Sequence, residues 1–420
     1  MNPLLPKKHF VPDAEARVMP DGKLYLYGSY DLSGCKDYCS KEYHVFVCED
    51  EKMERWTDCG VSFRNDKEQS DVPWSPDMTL YAPDAIERDG KYYLYMCGAN
   101  GFEGVAVADK PEGPFTDAQP LVGADGNGID PSVFVDDDGQ AYYFWGQFRL
   151  KGAKLNKDMV SLDLSTVQEG ILTEMEHGFH EGSSIRKHNG KYYMVYTDIS
   201  RGRATCMSYA VADAPMGPYK RGGVIVDNTY CDPASWNDHG SILEYKGQWY
   251  IFYHRSSQNS NTSRRVCAEK IWFNEDGSIN EVRMTSHGAS DAIDAFDWVD
   301  ASCACRMKGS LFIVPEDDTD PDDPNEVLLT ACKGDCLDDW AEYSDLNFGC
   351  GAKRFAVRAK GKGRVSVLAE GGRVVGAVEI CGKDWQEACC ALNTVLCGEK
   401  PVWLQFAGDG MCIDAFRFEK

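Results

Sequence analysis

The sequence predicts an all-β protein, a five-bladed β-propeller followed by a small jelly-roll-like β-sandwich. The first observation is a turn-plus-strand unit that recurs five times, with turn glycines 49 to 68 positions apart, as expected for propeller blades. The second is a change near residue 300, after which the strand patterns have the spacing typical of a sandwich. We therefore assign residues 1–300 to the propeller and residues 301–420 to the sandwich.

Each repeated unit is a predicted hairpin in which a tight turn leads into an aromatic-rich strand. In the clearest copy, Asn189-Gly190 separates a strand that begins near Glu181 from the strand at residues 191–196, and Asn-Gly is a strong hairpin signal. The alternative to a propeller is an ordinary β-sandwich in which the similar turns are coincidental. The equivalent turn glycines are Gly22, Gly90, Gly139, Gly190 and Gly247.

The second predicted domain follows an acidic, proline-rich run at residues 315–324. We interpret this run as a solvated loop near the domain junction, with a calcium site as the alternative. Beyond it, residues 354–359 and 363–368 have the alternating pattern of short strands. A small β-sandwich is the fold that this pattern favours.

The net charge of the chain limits the kinds of molecule that it can bind. A net charge of −23 argues against binding to nucleic acid or to an anionic membrane, because either would repel the protein. A neutral substrate is the easier partner. The sequence has neither an apolar window long enough to span a membrane nor an apolar signal segment, so we expect a cytoplasmic protein. The pattern does not indicate an oligomeric state.

The chain contains 18 cysteines. Their spacing does not match a paired C-x2-C zinc site, and a chain of this size does not need disulfides for stability. We expect reduced, mostly buried thiols that pack as small apolar residues.

One position of the repeat carries acidic side chains. Nine residues before the turn glycine stand Asp13 in the first copy, Asp130 in the third and Glu181 in the fourth. Tyr81 takes this place in the second copy, and His239 lies one residue nearer to the glycine in the fifth. Because the innermost strands of a propeller surround one axis, these five side chains should meet in a single pocket.

A cluster of three carboxylates destabilises a fold unless it is used, because like charges repel. Glycoside hydrolysis uses such a cluster, since one carboxylic acid protonates the leaving oxygen and one carboxylate activates water or attacks carbon. Two alternatives stay open, namely acids that cap strand openings and a metal site. Because the three acids occupy the same position of the repeat, the pattern favours a catalytic cluster over these two alternatives.

The motifs around these residues resemble those of glycoside hydrolase family 43. The resemblance covers about residues 1–290 and implies a five-bladed propeller that hydrolyses glycosides with inversion. It implies that Asp13 is the general base, Glu181 the general acid and Asp130 the residue that orients the acid and raises its pKa. The segments that carry it are Val11-Pro12-Asp13, Tyr81-Ala82-Pro83-Asp84, Gly128-Ile129-Asp130-Pro131-Ser132, His180-Glu181-Gly182-Ser183-Ser184 and Asn237-Asp238-His239-Gly240-Ser241.

The same resemblance implies further site residues. His239 resembles a central histidine that contacts a structural calcium ion or its waters in the axial channel. Tyr81 stands where an aromatic residue faces the sugar, and Arg265 resembles a basic residue near the pocket. Glu15 is the rival for the base, since it falls on the same side of a strand as Asp13.

The second domain resembles a carbohydrate-binding module of family 6. Cys412 stands where such modules have an asparagine, and Trp385 is the one aromatic residue with a clear counterpart. A structural role against the propeller is an equal alternative to sugar binding.

These observations predict an inverting glycosidase that removes arabinofuranosyl or xylosyl units from plant-derived oligosaccharides. The alternatives are a retaining fructosidase-type propeller and a non-catalytic propeller that binds sugar.

Overall fold

The computed structural model describes residues 1–232, 234–316, 320, 322–331 and 338–420. Part of the predicted acidic loop, at residues 317–319 and 321, lies outside these residues, as do Cys332 and Cys336. Within the described ranges we find no helix long and apolar enough to cross a membrane.

Residues 15–271 form the five blades, each an antiparallel sheet in chain order, and the predicted propeller is confirmed. Four blades have four strands and the fifth has three in the described chain. The short helix α1 (Glu174–His177) connects the third blade to the fourth. The strands are β1 (Glu15–Val18), β2 (Leu24–Tyr27), β3 (Glu42–Cys48) and β4 (Trp56–Arg64) in blade 1; β5 (Asp84–Arg88), β6 (Lys91–Cys97), β7 (Glu103–Ala108) and β8 (Thr116–Pro120) in blade 2; β9 (Ser132–Val135), β10 (Ala141–Trp145), β11 (Arg149–Leu155) and β12 (Leu162–Thr173) in blade 3; β13 (Phe179–His188), β14 (Lys191–Asp198), β15 (Cys206–Ala212) and β16 (Lys220–Asp227) in blade 4; and β17 (Ser241–Tyr245), β18 (Gln248–Ser257) and β19 (Ser260–Ile271) in blade 5.

The first strand of each blade lines the central axis. These strands contact one another in the closed order β1, β5, β9, β13, β17 and back to β1. Each predicted turn glycine joins the first strand of a blade to its second and has a positive φ, between 74° and 83°. Glycine adopts this conformation without steric cost, so the repeated hairpins are confirmed.

Apolar side chains fill the spaces between neighbouring blades. Leu24 and Phe252 belong to the cluster between blades 1 and 5, and Tyr27 and Leu94 to that between blades 1 and 2. Equivalent clusters lie between blades 2 and 3, 3 and 4, and 4 and 5. The aromatic residues of the repeat therefore hold the blades together, which fixes the shape of the axial pocket.

The N-terminal residues complete the fifth blade. The Leu4 N–H donates to the Val266 carbonyl at 3.0 Å, and the Asn2 side chain bonds to Ala268 and Glu269 on the same strand, β19. The start of the chain therefore covers the outer edge of this blade and joins it to blade 1.

The C-terminal part forms one ten-stranded sheet around its own core, which includes Tyr343, Phe355 and Phe416. The sheet takes in two short strands that precede residue 301. Residues Ala301–Cys303 form a short 3-10 helix. The strands are β20 (Ile293–Asp294), β21 (Val299–Asp300), β22 (Arg306–Lys308), β23 (Leu311–Pro315), β24 (Glu326–Ala331), β25 (Trp340–Asn347), β26 (Ala352–Ala369), β27 (Arg373–Leu396), β28 (Glu399–Ala407) and β29 (Asp409–Glu419).

Charged pairs join the two parts of the chain. Arg265 of the propeller donates to Glu326 at 2.6 Å, and both side chains are buried. Arg283 pairs with Glu342, and Lys7 pairs with Asp300. The C-terminal sheet therefore packs directly against the propeller.

All sixteen cysteines in the described part of the chain are free thiols. Eight of the sixteen are buried, two are partly buried and six are exposed, so burial holds for half of the described thiols. Exposed thiols such as Cys381 and Cys389 lie in the C-terminal sheet, where β27 is paired on one side by β26.

Candidate active site

A cavity of about 300 Å³ lies at the axial end where the innermost strands begin. The structure brings together Asp13, Tyr81, Asp130, Glu181 and His239 in its wall, which are the five residues that share one register in the repeat. A second cavity of about 110 Å³ lies between the propeller and the C-terminal sheet, and its described lining contains none of the three acids.

Local backbone features bring the acids to the cavity. Asp13 and Asp130 precede β1 and β9 and have φ values of 58° and 53°, a left-handed conformation that aspartate tolerates better than most residues. Glu181 lies within β13, where the register against β14 shifts before Ser184. Gly182 allows this bulge, since a Cβ there would lie 2.6 Å from the Thr197 hydroxyl oxygen and 2.9 Å from the His239 ring.

Asp13 is buried among donors and cations. Its Oδ2 accepts from the Ser29 hydroxyl at 2.6 Å, and its Oδ1 accepts from Arg264 Nη1 at 3.1 Å. The Nδ1 atoms of His254 and His239 lie 3.5 and 3.7 Å from the same oxygen. Burial alone would raise the pKa of Asp13, but Arg264 and the two histidines hold it well below its usual range. Asp13 is therefore an ionised carboxylate.

The arginine beside this carboxylate is Arg264, whereas the sequence indicated Arg265. The two residues are adjacent on β19, and neighbouring side chains of a strand point to opposite faces. Arg265 faces the C-terminal sheet, pairs with Glu326 and lies over the Phe10 ring. The structure therefore does not place Arg265 in the cavity, and Arg264 lines the wall instead.

Asp130 and Glu181 form the other side of the site. Asp130 Oδ2 accepts from the Gly182 N–H at 3.0 Å, and Glu181 Oε2 accepts from Gln147 at 2.7 Å. Burial raises the pKa of Asp130 to about 7, the His239 charge opposes this rise, and the charges of Glu181 and Asp13 add to it. Because like charges repel, the cluster retains a proton near neutral pH.

Glu15, the rival for the base, does not line the cavity. It lies deeper along the axis, where it pairs with Arg186 and with Arg17, whose Nε is 3.3 Å away. Arg17 also pairs with Asp84 at 2.6 Å, and the Val133 N–H donates to the same carboxylate at 2.7 Å. Two guanidinium groups thus neutralise two buried carboxylates directly below the site.

This axial layer does not fit the implied calcium ion. Calcium takes six to eight oxygen ligands, whereas Glu15 Oε1 pairs with Arg186 and Arg17, and the Asp84 carboxylate pairs with Arg17. His239 offers a nitrogen atom, and the carboxylate oxygen near it belongs to Asp13, which is paired with Arg264. Among the described residues, no group of three or more His, Cys, Asp or Glu side chains could hold a metal ion.

The sequence reasoning missed several residues of the wall, among them Tyr38, Gln147, Trp236 and Arg264. Trp236 is 52% exposed although it borders the cavity. Tyr38 and Trp236 come from loops between or within blades, outside the repeated hairpins. Their positions could therefore not be predicted by counting from the turn glycines. An exposed aromatic residue beside a polar pocket is typical of sugar stacking.

The arrangement provides the groups for hydrolysis of an acetal. It places one ionised carboxylate on the Arg264 side of the cavity and a cluster that retains a proton on the Gln147 side. A donor and an acceptor of protons on two sides of a pocket are what glycosidic bond cleavage requires.

Comparison with known proteins agrees with this chemistry. Residues 2–279 match the model of the glycosyl hydrolases family 43. A xylosidase/arabinosidase from Thermoclostridium stercorarium is 35% identical over 69% of this chain and 68% of its own length. A beta-xylosidase from Xylanibacter ruminicola is 34% identical over 65% of this chain and 97% of its own length.

Solved structures give the same result. A beta-xylosidase/alpha-arabinofuranosidase from a compost metagenome, in complex with xylotriose and in a calcium-free form, is 30% identical with a TM-score of 0.58, over 67% of this chain and 97% of that chain. An arabinoxylan arabinofuranohydrolase from Bacillus subtilis, in complex with cellotetraose, matches all of this chain and 97% of its own, with 23% identity and a TM-score of 0.57, so that this likeness concerns the fold. The chain is a glycosidase and belongs to glycosyl hydrolases family 43.

Proposed function

We propose that this glycosidase inverts the anomeric centre of its substrate, with Asp13 as general base and Glu181 as general acid. The observation that carries the proposal is the meeting of Asp13, Asp130 and Glu181 in one cavity. Asp13, ionised through Arg264, accepts a proton from the attacking water. Glu181, held by Gln147, gives a proton to the leaving oxygen. Asp130 orients the acid through the Gly182 N–H and keeps a proton in the cluster.

We further propose that the substrate is an arabinofuranosyl or xylosyl unit at the end of a plant-derived oligosaccharide. The names of the relatives support both sugars, since they are xylosidases, arabinosidases and arabinoxylan arabinofuranohydrolases. A cavity of about 300 Å³ suits one sugar ring in the catalytic position. Tyr81 lies in the wall as the proposed contact of that ring, and Trp236 stands at the exposed edge.

Hydrolysis of four p-nitrophenyl glycosides tests the sugar. We expect turnover of the α-L-arabinofuranoside, the β-D-xyloside or both, and little turnover of the β-D-galactoside and the β-D-fructofuranoside. Preferential cleavage of the fructofuranoside would contradict the proposal and support the fructosidase-type alternative. No turnover of any of them, with Asp13→Ala equal to the wild type, would support a non-catalytic propeller.

We propose a structural role for the C-terminal sheet, whose resemblance to a carbohydrate-binding module stays a prediction. The ring of Trp385 is not free for a sugar, because the Lys360 ammonium lies 4.6 Å from its centroid and Arg358 lies 5.7 Å from it. The Trp385 N–H also donates to Glu316 at 2.7 Å. Affinity electrophoresis in xylan gels tests this role, and retardation that Trp385→Ala abolishes would contradict it.

A further inference from the structure

Asp31 is a buried acid beside the site, in the segment that follows β2. It is 1% exposed, and both of its oxygens accept hydrogen bonds. Oδ1 accepts from Arg264 Nη2 at 2.9 Å and from the Cys39 N–H at 3.0 Å. Oδ2 accepts from Arg264 Nε at 2.9 Å and from the Arg264 backbone N–H at 3.1 Å. A carboxylate so occupied is unsuited to contact a substrate.

Arg264 connects Asp31 to the catalytic cluster. Two nitrogens of its guanidinium group, Nε and Nη2, bond to Asp31, and the remaining Nη1 donates to Asp13 Oδ1 at 3.1 Å. The guanidinium group is planar and its donors have a fixed arrangement. Two bonds on one edge therefore determine where Nη1 points. The Tyr38 ring packs against the group, 4.8 Å from its carbon to the centroid.

Asp13 needs such support because its other contacts leave one oxygen weakly held. Oδ2 has the short bond to Ser29, whereas the histidine nitrogens near Oδ1 are 3.5 Å and 3.7 Å away. Arg264 thus makes the shortest of the described polar contacts to Oδ1. Asp13 and Asp31 belong to blade 1 and Arg264 to blade 5, so the contact crosses the seam where the propeller closes.

We propose that Asp31 is a positioning residue that, through Arg264, fixes the Asp13 carboxylate where it can accept a proton from the attacking water. The inference rests on the proposed role of Asp13 as the general base. A misplaced base loses much of its effect, since a shift of about 1 Å can cost about 100-fold in rate. The competing explanation is that the Asp31–Arg264 pair only stabilises the seam between the blades.

A double-mutant cycle on kcat separates these explanations. The variants are Asp31→Asn, Arg264→Met and the double variant, each assayed with a p-nitrophenyl glycoside that the wild type cleaves. We expect Asp31→Asn to lower kcat by about 10- to 100-fold in the wild-type background. In the Arg264→Met background the same change should alter kcat less than about 2-fold. Equal effects in both backgrounds would overturn the inference.

Two further variants cover the failures that could confuse the result. Asp31→Asn leaves a buried arginine without its main partner and could unfold the protein. Arg264→Lys keeps the positive charge but cannot form the two parallel hydrogen bonds to Asp31. We expect its kcat to fall as far as that of Asp31→Asn. A kcat equal to that of the wild type would overturn the inference. Asp13→Ala tests the underlying proposal. If this variant stays active, the proposed function fails; if it is inactive and the cycle is additive, only the role of Asp31 fails.

A pH profile adds a readout that a purely structural pair would not change. The charged and titratable groups around Asp13 are Arg264, His239, His254, Asp130, Tyr38, Cys39 and Tyr43. In the double variant the positive charge of Arg264 and the negative charge of Asp31 are both lost. Because Arg264 contacts Asp13 directly, the loss of its charge dominates, and the acid limb of kcat/KM should move to higher pH. An unmoved acid limb in a folded double variant would contradict the contact between Arg264 and the base.

Discussion

Replacement of Glu103 by glutamine should remove a pH-dependent loss of stability. Glu103 begins β7 and is 4% exposed. Its Oε1 accepts from the Tyr143 hydroxyl at 2.9 Å, whereas its Oε2 has no hydrogen-bond partner among the described residues. Burial raises the pKa of Glu103 from 4.5 to about 7, and the hydrogen bond from Tyr143 lowers it only in part.

The size of the effect follows from the two pKa values. Between 4.5 and about 7 the folded protein holds a proton that the unfolded chain has released. The free energy of unfolding therefore falls as the pH rises through this range, and the fall is complete above about 7. The difference between the two values corresponds to about 3 kcal/mol. Glutamine is neutral throughout, so Glu103→Gln should lack this fall.

Urea denaturation near pH 5 and near pH 8 measures the effect. Between these two conditions the free energy of unfolding of Glu103→Gln should fall less than that of the wild type, by about 2.5 kcal/mol. The control is Glu399→Gln, because Glu399 is exposed, and it should follow the wild type. The same pH dependence in Glu103→Gln and in the wild type would refute the reasoning, because Glu103 would then ionise in the folded protein without cost.

Three further predictions concern the active site. Glu181→Gln should lower hydrolysis of unactivated oligosaccharides by about 100- to 10,000-fold but spare a dinitrophenyl glycoside, which needs little protonation; equal losses on both substrates would contradict Glu181 as the acid. Trp236→Ala should raise KM for xylotriose by about 5-fold if its exposed ring stacks on a sugar, whereas the control Trp272→Ala, at a ring that is 60% exposed and outside the described lining of the cavity, should not. Chelation with EDTA should leave the melting temperature and the activity unchanged, because Arg17 and Arg186 supply the axial positive charge; a loss that added calcium reverses would show that a bound ion stabilises the protein.

The sequence was sufficient to predict that Asp13, Tyr81, Asp130, Glu181 and His239 meet in one pocket, because the repeat has a constant geometry. In each blade the innermost strand leads directly into the hairpin turn. The number of residues between the start of that strand and the turn glycine is therefore nearly constant. Counting back from Gly190 therefore reached Glu181, and the same count from Gly22 reached Asp13. The structure places all five residues of this register in one cavity.

Residues outside the hairpins could not be placed in this way. Tyr38 and Trp236 lie on loops without periodicity. Arg264 and Arg265 are adjacent, and a choice between them requires the register of β19, which shifts against β18 near Ser257. A single irregularity of this kind exchanges the two faces of a strand.

The C-terminal sheet shows the same limit. The two segments predicted as short strands, residues 354–359 and 363–368, belong to one 18-residue strand, β26. Its register is irregular between Ala359 and Gly361, and Gly361 has a φ of 111°. In the sequence, Gly361 and Gly363 indicate a break between two strands. In the fold, this segment is a bulge within one continuous strand.

Proton NMR of the first sugar released shows whether hydrolysis inverts the anomeric centre. With a β-xyloside as substrate, we expect α-xylose to appear first and the β anomer to form only by mutarotation. The carboxyl groups of Asp13 and Glu181 should then be about 6.5 to 9.5 Å apart in a crystal structure of the protein. If β-xylose appears first, the reaction retains configuration, and Asp13 cannot act as the base that activates water.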